Sequence, residues 1–505
     1  MHAPLPFRPF AQAAGPLLLA QAVLLALAVA FRIVNADEGI FLHAAREVAG
    51  GAVPYRDVFF MQGPLTAYLF APVAGLGWAG LFAARALGAA ASLALTAGVG
   101  WGVYARTGRP RAAALAVALA GFNGLTLAWH PTATTLVWAD ALAFGGVLAL
   151  SHGPATRRGA WVFGAGVLLG LAASARFTHG LVGVVALAAC AMGGDAGAAR
   201  GRRAFLLVAG GLLGFLPTLV LAAVDPRAFV LDTLVFRQVW GARVVGQMGA
   251  ERVRAMGQFA LYPQNALVLA LAAWSALGRR WPGQQGGSIR RLRAGAAPAE
   301  AHARWTALAC ALGLGGFYAF LSPTQTHYFA ATLPYLVLAS APALAYVAER
   351  FGRRALGTAG LAYALGAVPY AVLFIGGVRA PDARYRQATV RAVTGVLERC
   401  TAPRDTLLAF SPHGPVLARR PAMRGVEVGG VAVVPLLTPA ERRTAGLLDA
   451  PGLRAALASG RAAAVVYEDG FVDDTTGAFG AYRLALARDG LRVYVRRTAR
   501  AGCER

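Results

Sequence analysis

Long apolar runs, separated by short Arg-rich stretches, set the pattern of the first three quarters of the chain. Gly15–Phe31, Ala204–Val224 and Leu356–Gly377 are nearly free of charge. A helix needs about 20 apolar residues to cross a bilayer, and each of these runs is close to that length. The pattern predicts about eleven spans, near 13–33, 79–104, 110–128, 133–151, 159–174, 178–193, 204–224, 258–277, 305–321, 327–347 and 355–377. After about residue 378 charges rise and strand-like runs appear at Thr406–Phe410, Ala462–Tyr467 and Leu491–Val495. Helical stretches are predicted near 383–399 and 477–489. The expected fold is thus a polytopic α-helical membrane protein, residues 1–378, followed by a small soluble α/β domain over 379–505, a normal domain size.

Composition agrees with the pattern. The chain is 57% hydrophobic, has a mean hydropathy of +0.54 and is only 14% charged, where a soluble protein carries about a quarter. A formal charge of +25 would suggest nucleic acid in a soluble protein. Here short Arg-rich loops between spans follow the positive-inside rule, and no nucleic-acid partner is expected. All 48 basic residues are Arg. Codon usage in a GC-rich genome explains that plainly, but Arg also grips phosphate bidentately and never loses its charge.

The arginines also orient the chain. Arg106, Arg109 and Arg111 share one loop, Arg157 and Arg158 a second, and Arg200, Arg202 and Arg203 a third. Arg279, Arg280, Arg290, Arg291, Arg293 and Arg304 flank a fourth, and Arg350, Arg353 and Arg354 a fifth. Eleven spans put all of them on the cytoplasmic side of the inner membrane. Segments 34–78, 225–257 and 378–505 then face outward. One long tilted helix over 159–193 would invert everything downstream; Gly180 and the polar run Arg176-Phe177-Thr178-His179 favour a break instead. Segment 225–257 departs from the trend, with Arg227, Arg237, Arg243, Arg252 and Arg254 against Asp225, Asp232 and Glu251. It reads as an amphipathic helix in the headgroup layer, as an outward basic surface for an anionic lipid head, or as both. The first apolar run is long enough to remain as a span rather than be cleaved. Cys190 and Cys310 fall in apolar spans. Cys400 and Cys503 fall in the soluble domain and are free to pair if it faces an oxidising compartment.

Candidate chemistry begins where the first span ends, at Asn35-Ala36-Asp37-Glu38-Gly39. A helix along the interface is predicted next, with Asp37 as its cap or in its first turn. Capping explains one acid there, not two. An outward loop follows, Val53-Pro54-Tyr55-Arg56-Asp57-Val58-Phe59-Phe60-Met61-Gln62-Gly63-Pro64-Leu65. In order and placement, Asp37-Glu38-Gly39, Pro54-Tyr55-Arg56-Asp57, Phe59-Phe60 and Gln62-Gly63-Pro64-Leu65 resemble the opening of the GT-C glycosyltransferases, in particular the protein O-mannosyltransferases and lipid A aminoarabinose transferases. Gly63 stands where a first Pro is common in that family. The resemblance extends through the span pattern and covers nearly the whole chain.

That resemblance implies inverting transfer of a sugar from a polyprenyl-phosphate donor to a lipid, glycan or protein acceptor. Such chemistry needs a carboxylate within reach of the acceptor's proton. Asp37 is the favoured base; Glu38 is the alternative, or orients an arginine or the acceptor. A phosphate leaving group needs cations. Arg176, His327, Tyr328, Arg237 and Arg243 are the candidates, set against plainer roles as a helix-end partner for Arg176 and interfacial belt residues for His327 and Tyr328. Tyr55, Asp57, Gln62, His130 and Asp140 are candidates for the acceptor or the pocket. Asp57 also fits a solvated loop acid, and Asp140 fits an ion pair with Arg85. His413, in Ser411-Pro412-His413-Gly414-Pro415, fits a turn. A metal site is not expected, although a divalent ion among Asp37, Glu38, Asp57 and Asp140 stays open. A secondary transporter would share the spans and the buried charges, but it would show internal repeats and charge at midplane. A non-catalytic assembly protein would not need the acidic pair.

Overall fold

The computed structural model describes residues 6–152, 158–192, 197–239, 248–277, 287–321, 324–374, 383–429, 437–468, 478–499 and 502–503. The membrane part opens with α1 (Phe7–Phe31), α2 (Ala36–Ala49), α3 (Leu65–Ala74), α4 (Trp78–Thr107), α5 (Pro110–Gly121) and α6 (Gly124–Trp129). It continues with α7 (Leu136–His152), α8 (Arg158–Ala175), α9 (Gly180–Met192), α10 (Gly197–Val224) and α11 (Pro226–Val230). A π-helical turn, Leu231–Val235, follows. Then come α12 (Met248–Leu261), α13 (Pro263–Leu277), α14 (Gly287–Phe320), α15 (Leu333–Ala339), α16 (Ala341–Arg350), α17 (Arg353–Leu365) and α18 (Val368–Phe374).

Helices occupy each of the eleven predicted positions. Four of them, Phe7–Phe31, Trp78–Thr107, Gly197–Val224 and Arg353–Phe374, are long and apolar enough to cross a membrane alone. Two bent pairs bring that number to six. The others are shorter apolar helices, such as Pro110–Gly121 and Gly159–Ala175. At Arg176–His179 the chain doubles back, so that Gly180 and Gly183 on α9 face Ala173 and Leu169 on α8. Segment 159–193 is therefore two helices. Helix α8 is locked to α10 by a close approach that the sequence reading did not notice. A side chain at Gly166, Gly170, Gly210 or Gly214 would meet a facing backbone carbonyl at 2.1–2.2 Å. Small residues at this spacing let two membrane helices touch backbone to backbone.

Contacts sort the two ends of the bundle. Arg109 ion-pairs with Glu349, and Arg106 donates to the carbonyls of Leu338 at 3.3 Å and Ala303 at 3.5 Å. Several Arg-rich segments thus share one end. At the other end Arg32 Nε donates to the Ala128 carbonyl at 2.7 Å, and the Ile33 amide donates to the Phe374 carbonyl at 2.9 Å.

The C-terminal part holds α19 (Gln387–Cys400), β1 (Leu407–Ala409), α20 (His413–Leu417), α21 (Pro439–Thr444), α22 (Ala450–Ala458), β2 (Ala464–Glu468), β3 (Tyr482–Arg488) and β4 (Leu491–Arg496). The sheet order is β1-β2-β4-β3, parallel between β1 and β2 and antiparallel elsewhere. The helix expected over 477–489 is corrected here: Tyr482–Arg488 is a strand. Asp489 and Gly490 both take positive φ and close a tight hairpin onto β4. The Asp-Gly pair is the hairpin signal that apolar periodicity overlooked. A disulfide joins Cys400 to Cys503, while Cys190 and Cys310 remain thiols.

Asp232, in the π-helical turn, is fully buried and accepts the Phe60 amide at 2.9 Å. Burial pushes its carboxyl up to about 8, far above the ~3.9 of an exposed aspartate. Between those values the folded chain holds a proton that the unfolded chain has released, so this group costs stability increasingly as pH rises through that window. Asp232→Asn, which keeps an acceptor for Phe60, should raise the unfolding temperature in detergent at pH 8 and leave it unchanged near pH 4. Equal shifts at both pH values would contradict a protonated Asp232.

Candidate active site

The first turn of α2 divides its two acids. Asn35 caps the helix, its side chain accepting the Asp37 amide at 2.9 Å, and Glu38 closes the capping box by accepting the Asn35 amide at 2.8 Å. Glu38 also takes a bidentate pair from Arg85 of α4, Nε to Oε1 at 2.8 Å and Nη2 to Oε2 at 2.6 Å. The Ala133 amide adds a further hydrogen bond at 3.0 Å. Both side chains are completely buried. Burial alone would raise the Glu38 carboxyl, but the charge and hydrogen bonds of Arg85, helped by Arg32 and Ala133, hold it down to about 2. Arg85 in turn donates to the carbonyls of Val29, Arg32 and Ile33. Glu38 therefore ties together α1, α2, α4 and the α6–α7 turn.

Asp37 is left free of this work. Its carboxylate makes no hydrogen bond or ion pair among the described residues. It is exposed at its surface, yet protein surrounds it closely enough to desolvate it, so it lines a recess. Burial raises its carboxyl above the ordinary aspartate value, Arg176 opposes that, Glu38 reinforces it and Arg237 opposes it again. Asp37 in this recess thus feels the charges of both Arg176 and Arg237.

Arg176 caps the turn between α8 and α9 in an extended conformation. It is 6% exposed and has no carboxylate partner among the described residues. Nη1 donates to Thr135 Oγ1 at 3.4 Å, while Nε and Nη2 donate to nothing among the described residues. Its guanidinium lies 4.8 Å from the centre of the Tyr328 ring and 5.8 Å from that of Tyr318. An isolated buried cation is expensive unless something anionic joins it. Arg237 feels the same tyrosines and Arg176 and has no ion pair among the described residues. Arg243 lies outside the described residues. His327 stacks on Trp129, with ring centres 3.7 Å apart, and packs edge-on to Tyr328; Arg32 lies 5.3 Å from the same Trp129 ring.

Two glycines set the recess. A side chain at Gly63 would meet the Ser174 carbonyl at 2.2 Å, so the loop between α2 and α3 presses directly on the end of α8, next to Arg176. The Pro common at this position in the resembled family would collide here. A side chain at Gly39 would meet the His413 amide nitrogen at 2.7 Å, so the C-terminal part sits on α2 two residues from Asp37. His413 is buried, with Nδ1 3.1 Å from Ser411 Oγ and its ring stacked on Tyr385.

The remaining candidates stand apart from that recess or beneath it. Asp140 is buried, and its expected partner Arg85 is taken by Glu38. Its carboxylate instead meets His179 Nε2 at 2.7 Å and His130 Nε2 at 3.7 Å. His130 Nδ1 lies 2.9 Å from Ser92 Oγ. The His179 amide donates to the Arg176 carbonyl at 2.9 Å, so the Asp140–His179 pair anchors the turn that presents Arg176. His179 was overlooked as a functional residue, although it stands in the polar run that marked the break. Trp129, Thr135 and Tyr318 carry no sequence signal of their own. Tyr55 is buried with positive φ, and its hydroxyl donates to the Gln62 carbonyl at 2.8 Å; both shape the loop. Asp57 accepts the Val53 amide and pairs with Arg56 at 2.7 Å on the surface. Asp37, Glu38, Asp57 and Asp140 thus have four separate surroundings, and no cluster of three or more His, Cys, Asp or Glu suited to a metal occurs among the described residues.

Compared with solved structures, the chain has the fold of the GT-C glycosyltransferases. It is similar to ArnT from Cupriavidus metallidurans in the apo state, with a TM-score of 0.63 at 15% identity over 95% of this chain and 97% of that one. It is equally similar to ArnT from the same organism bound to undecaprenyl phosphate, with a TM-score of 0.62 at 16% identity over 97% and 98%. The Archaeoglobus fulgidus oligosaccharyltransferase in complex with Zn and sulfate aligns with a TM-score of 0.50 at 12% identity, over 95% of this chain and 73% of that one. No family model matches the chain, and no curated protein matches it by sequence.

The two acids should separate in experiment. Glu38→Gln leaves Arg85 buried without its counter-charge, a class of change that costs about 3–5 kcal/mol. It should abolish a monodisperse peak in detergent or lower its unfolding temperature strongly. Asp37→Asn should leave both unchanged. Similar unfolding temperatures for the two variants would remove Glu38 from the role of structural tie.

Proposed function

We propose that this protein is a membrane glycosyltransferase that moves a sugar from a polyprenyl-phosphate donor to an acceptor hydroxyl or amine. The observation that carries this reading is a carboxylate, Asp37, that feels the charges of two guanidinium groups, Arg176 and Arg237, none of the three having an ion pair among the described residues. Arg176 and Arg237 suit the donor's phosphate. Tyr318, Tyr328 and the Trp129–His327 stack offer ring faces beside it for the sugar or first isoprene units. The acceptor attacks the anomeric carbon from the face opposite the phosphate. The bond from carbon to phosphate oxygen breaks, its electrons leave with the lipid phosphate, and Asp37 takes the acceptor's proton. The configuration inverts. The guanidiniums stabilise the charge that grows on the leaving oxygen. Asp37, its carboxyl raised above the ordinary aspartate value by burial, is suited to accept a proton as the bond forms.

The site faces outward from the cytoplasmic membrane in this reading. Arg-rich segments gathered at the opposite end of the bundle belong in the cytoplasm. The Cys400–Cys503 disulfide suits an oxidising compartment. A single reactive cysteine at Arg424, with Cys190 and Cys310 replaced by Ala, should be labelled by an impermeant thiol reagent without breaking the cytoplasmic membrane. Labelling only after permeabilisation would reverse the orientation.

Transfer from a panel of radiolabelled polyprenyl-phosphate sugars should be lost in Asp37→Asn by 10²-fold or more, the usual scale for a general base. Its acid limb in the wild type should lie above the ~3.9 of an ordinary aspartate. Arg176→Ala should weaken donor binding, read as a higher donor KM, with the fold intact. No transfer by the wild type across a broad donor and acceptor panel would overturn the reading; survival in Asp37→Asn would move the base elsewhere.

A further inference from the structure

The bundle is also hollowed at the end far from Asp37. The amino-terminal half of α1, the length of α5 and α17 enclose an apolar groove of about 790 Å³. That is within the ~300–1,000 Å³ of pockets that hold drug-sized ligands. The groove exists because α17 stands off from its own bundle. Tyr363 is its single buried residue, and only 11% of the apolar 18-residue stretch within Arg353–Phe374 is buried. Gly357 and Gly360 leave the wall open: a side chain built on either would touch nothing within 4 Å. Protein interiors are close-packed, and an apolar hollow at membrane depth holds no water to satisfy it, so hydrocarbon is its natural filling.

Charge decides which hydrocarbon. Arg111 and Arg353 line the groove, no acidic residue does, and neither arginine has an ion pair or side-chain hydrogen bond among the described residues. Each lies in the first turn of its helix, α5 or α17. Their neighbour Arg109 is already neutralised by Glu349. We propose that the groove binds one anionic phospholipid, its phosphate held between Arg111 and Arg353 and an acyl chain running along Gly357 and Gly360. The ligand is distinct from a lipid phosphate at Arg176. The groove enters α1 at Pro9, 22 residues before Phe31 and the turn into α2, or roughly 33 Å at 1.5 Å per residue. That distance spans the bilayer's hydrocarbon core. The bound lipid would brace α17 and so α18, whose Tyr370 ring packs on Gly124 and whose Phe374 ring meets Trp129.

The test uses the full-length protein, delipidated in detergent and examined by native mass spectrometry. Phosphatidylglycerol, phosphatidylethanolamine and a polyprenyl phosphate are added separately. One phosphatidylglycerol should be retained at least tenfold more tightly than phosphatidylethanolamine, and should raise the unfolding temperature. Arg111→Gln with Arg353→Gln should erase that preference and leave polyprenyl phosphate binding unchanged. Gly357→Leu, with both charges intact, should reduce retention of phosphatidylglycerol by filling the groove. The proposal is overturned by equal retention of the two phospholipids, by a preference that survives the double Arg variant, or by loss of polyprenyl phosphate instead. A dimer formed through this face to the exclusion of lipid would overturn it as well. None of these outcomes depends on whether the protein transfers sugar.

Discussion

The buried pair of Glu38 and Arg85 is the constraint around which the membrane part is arranged. Two opposite charges have been taken wholly out of water, which is tolerable only when every donor and acceptor is matched. They are matched by four carbonyl or amide groups from α1, its exit and the α6–α7 turn, and by the helix cap itself. This fixes the start of α2 to within a hydrogen bond. The neighbouring acid is then held in a defined place without spending its own carboxylate on structure. A pair of adjacent acids thereby becomes one anchor and one free group.

The cationic side of the recess is built by other means. Backbone contact between α8 and α10 leaves little slack in α8, and the Asp140–His179 pair grips the turn that follows it. Gly63 lets the first loop lean on the same turn. Arg176 is thus fixed through its backbone from three directions, while Nε and Nη2 of its guanidinium donate to nothing among the described residues. Rigidity around the residue and open valence at its tip are what a site for a mobile anionic ligand requires.

Much of this was legible in the sequence, and the failures have physical causes. Hydropathy located all eleven helical positions because apolar length is a local property. The break at Arg176–His179 was legible because a charged and polar run inside an apolar stretch has no other cheap explanation. The pairing of Arg85 was not, since two acids competed for it and only three-dimensional packing decides between Glu38 and Asp140. His179 stayed hidden because its acid lies 39 residues away. The strand at Tyr482–Arg488 was mistaken for a helix because Leu484, Leu486 and Ala487 satisfy either period, and the Asp489-Gly490 turn was given too little weight. The ring of Tyr318, Trp129 and Thr135 comes from three separate helices or turns, and no short motif announces it.

The bare backbone contact between Gly39 and His413 bears on how such proteins can be recombined. The C-terminal part does not dangle from the last helix. It also hydrogen-bonds to the end of α1 through Gln387 and to Arg46 through the Arg420 carbonyl. A terminal domain transplanted from another chain would need a ridge shaped like Pro412-His413 to seat on α2, or it would displace the very turn that carries Asp37. The two parts are therefore not interchangeable modules, and substitutions along that seam should be inherited together rather than singly.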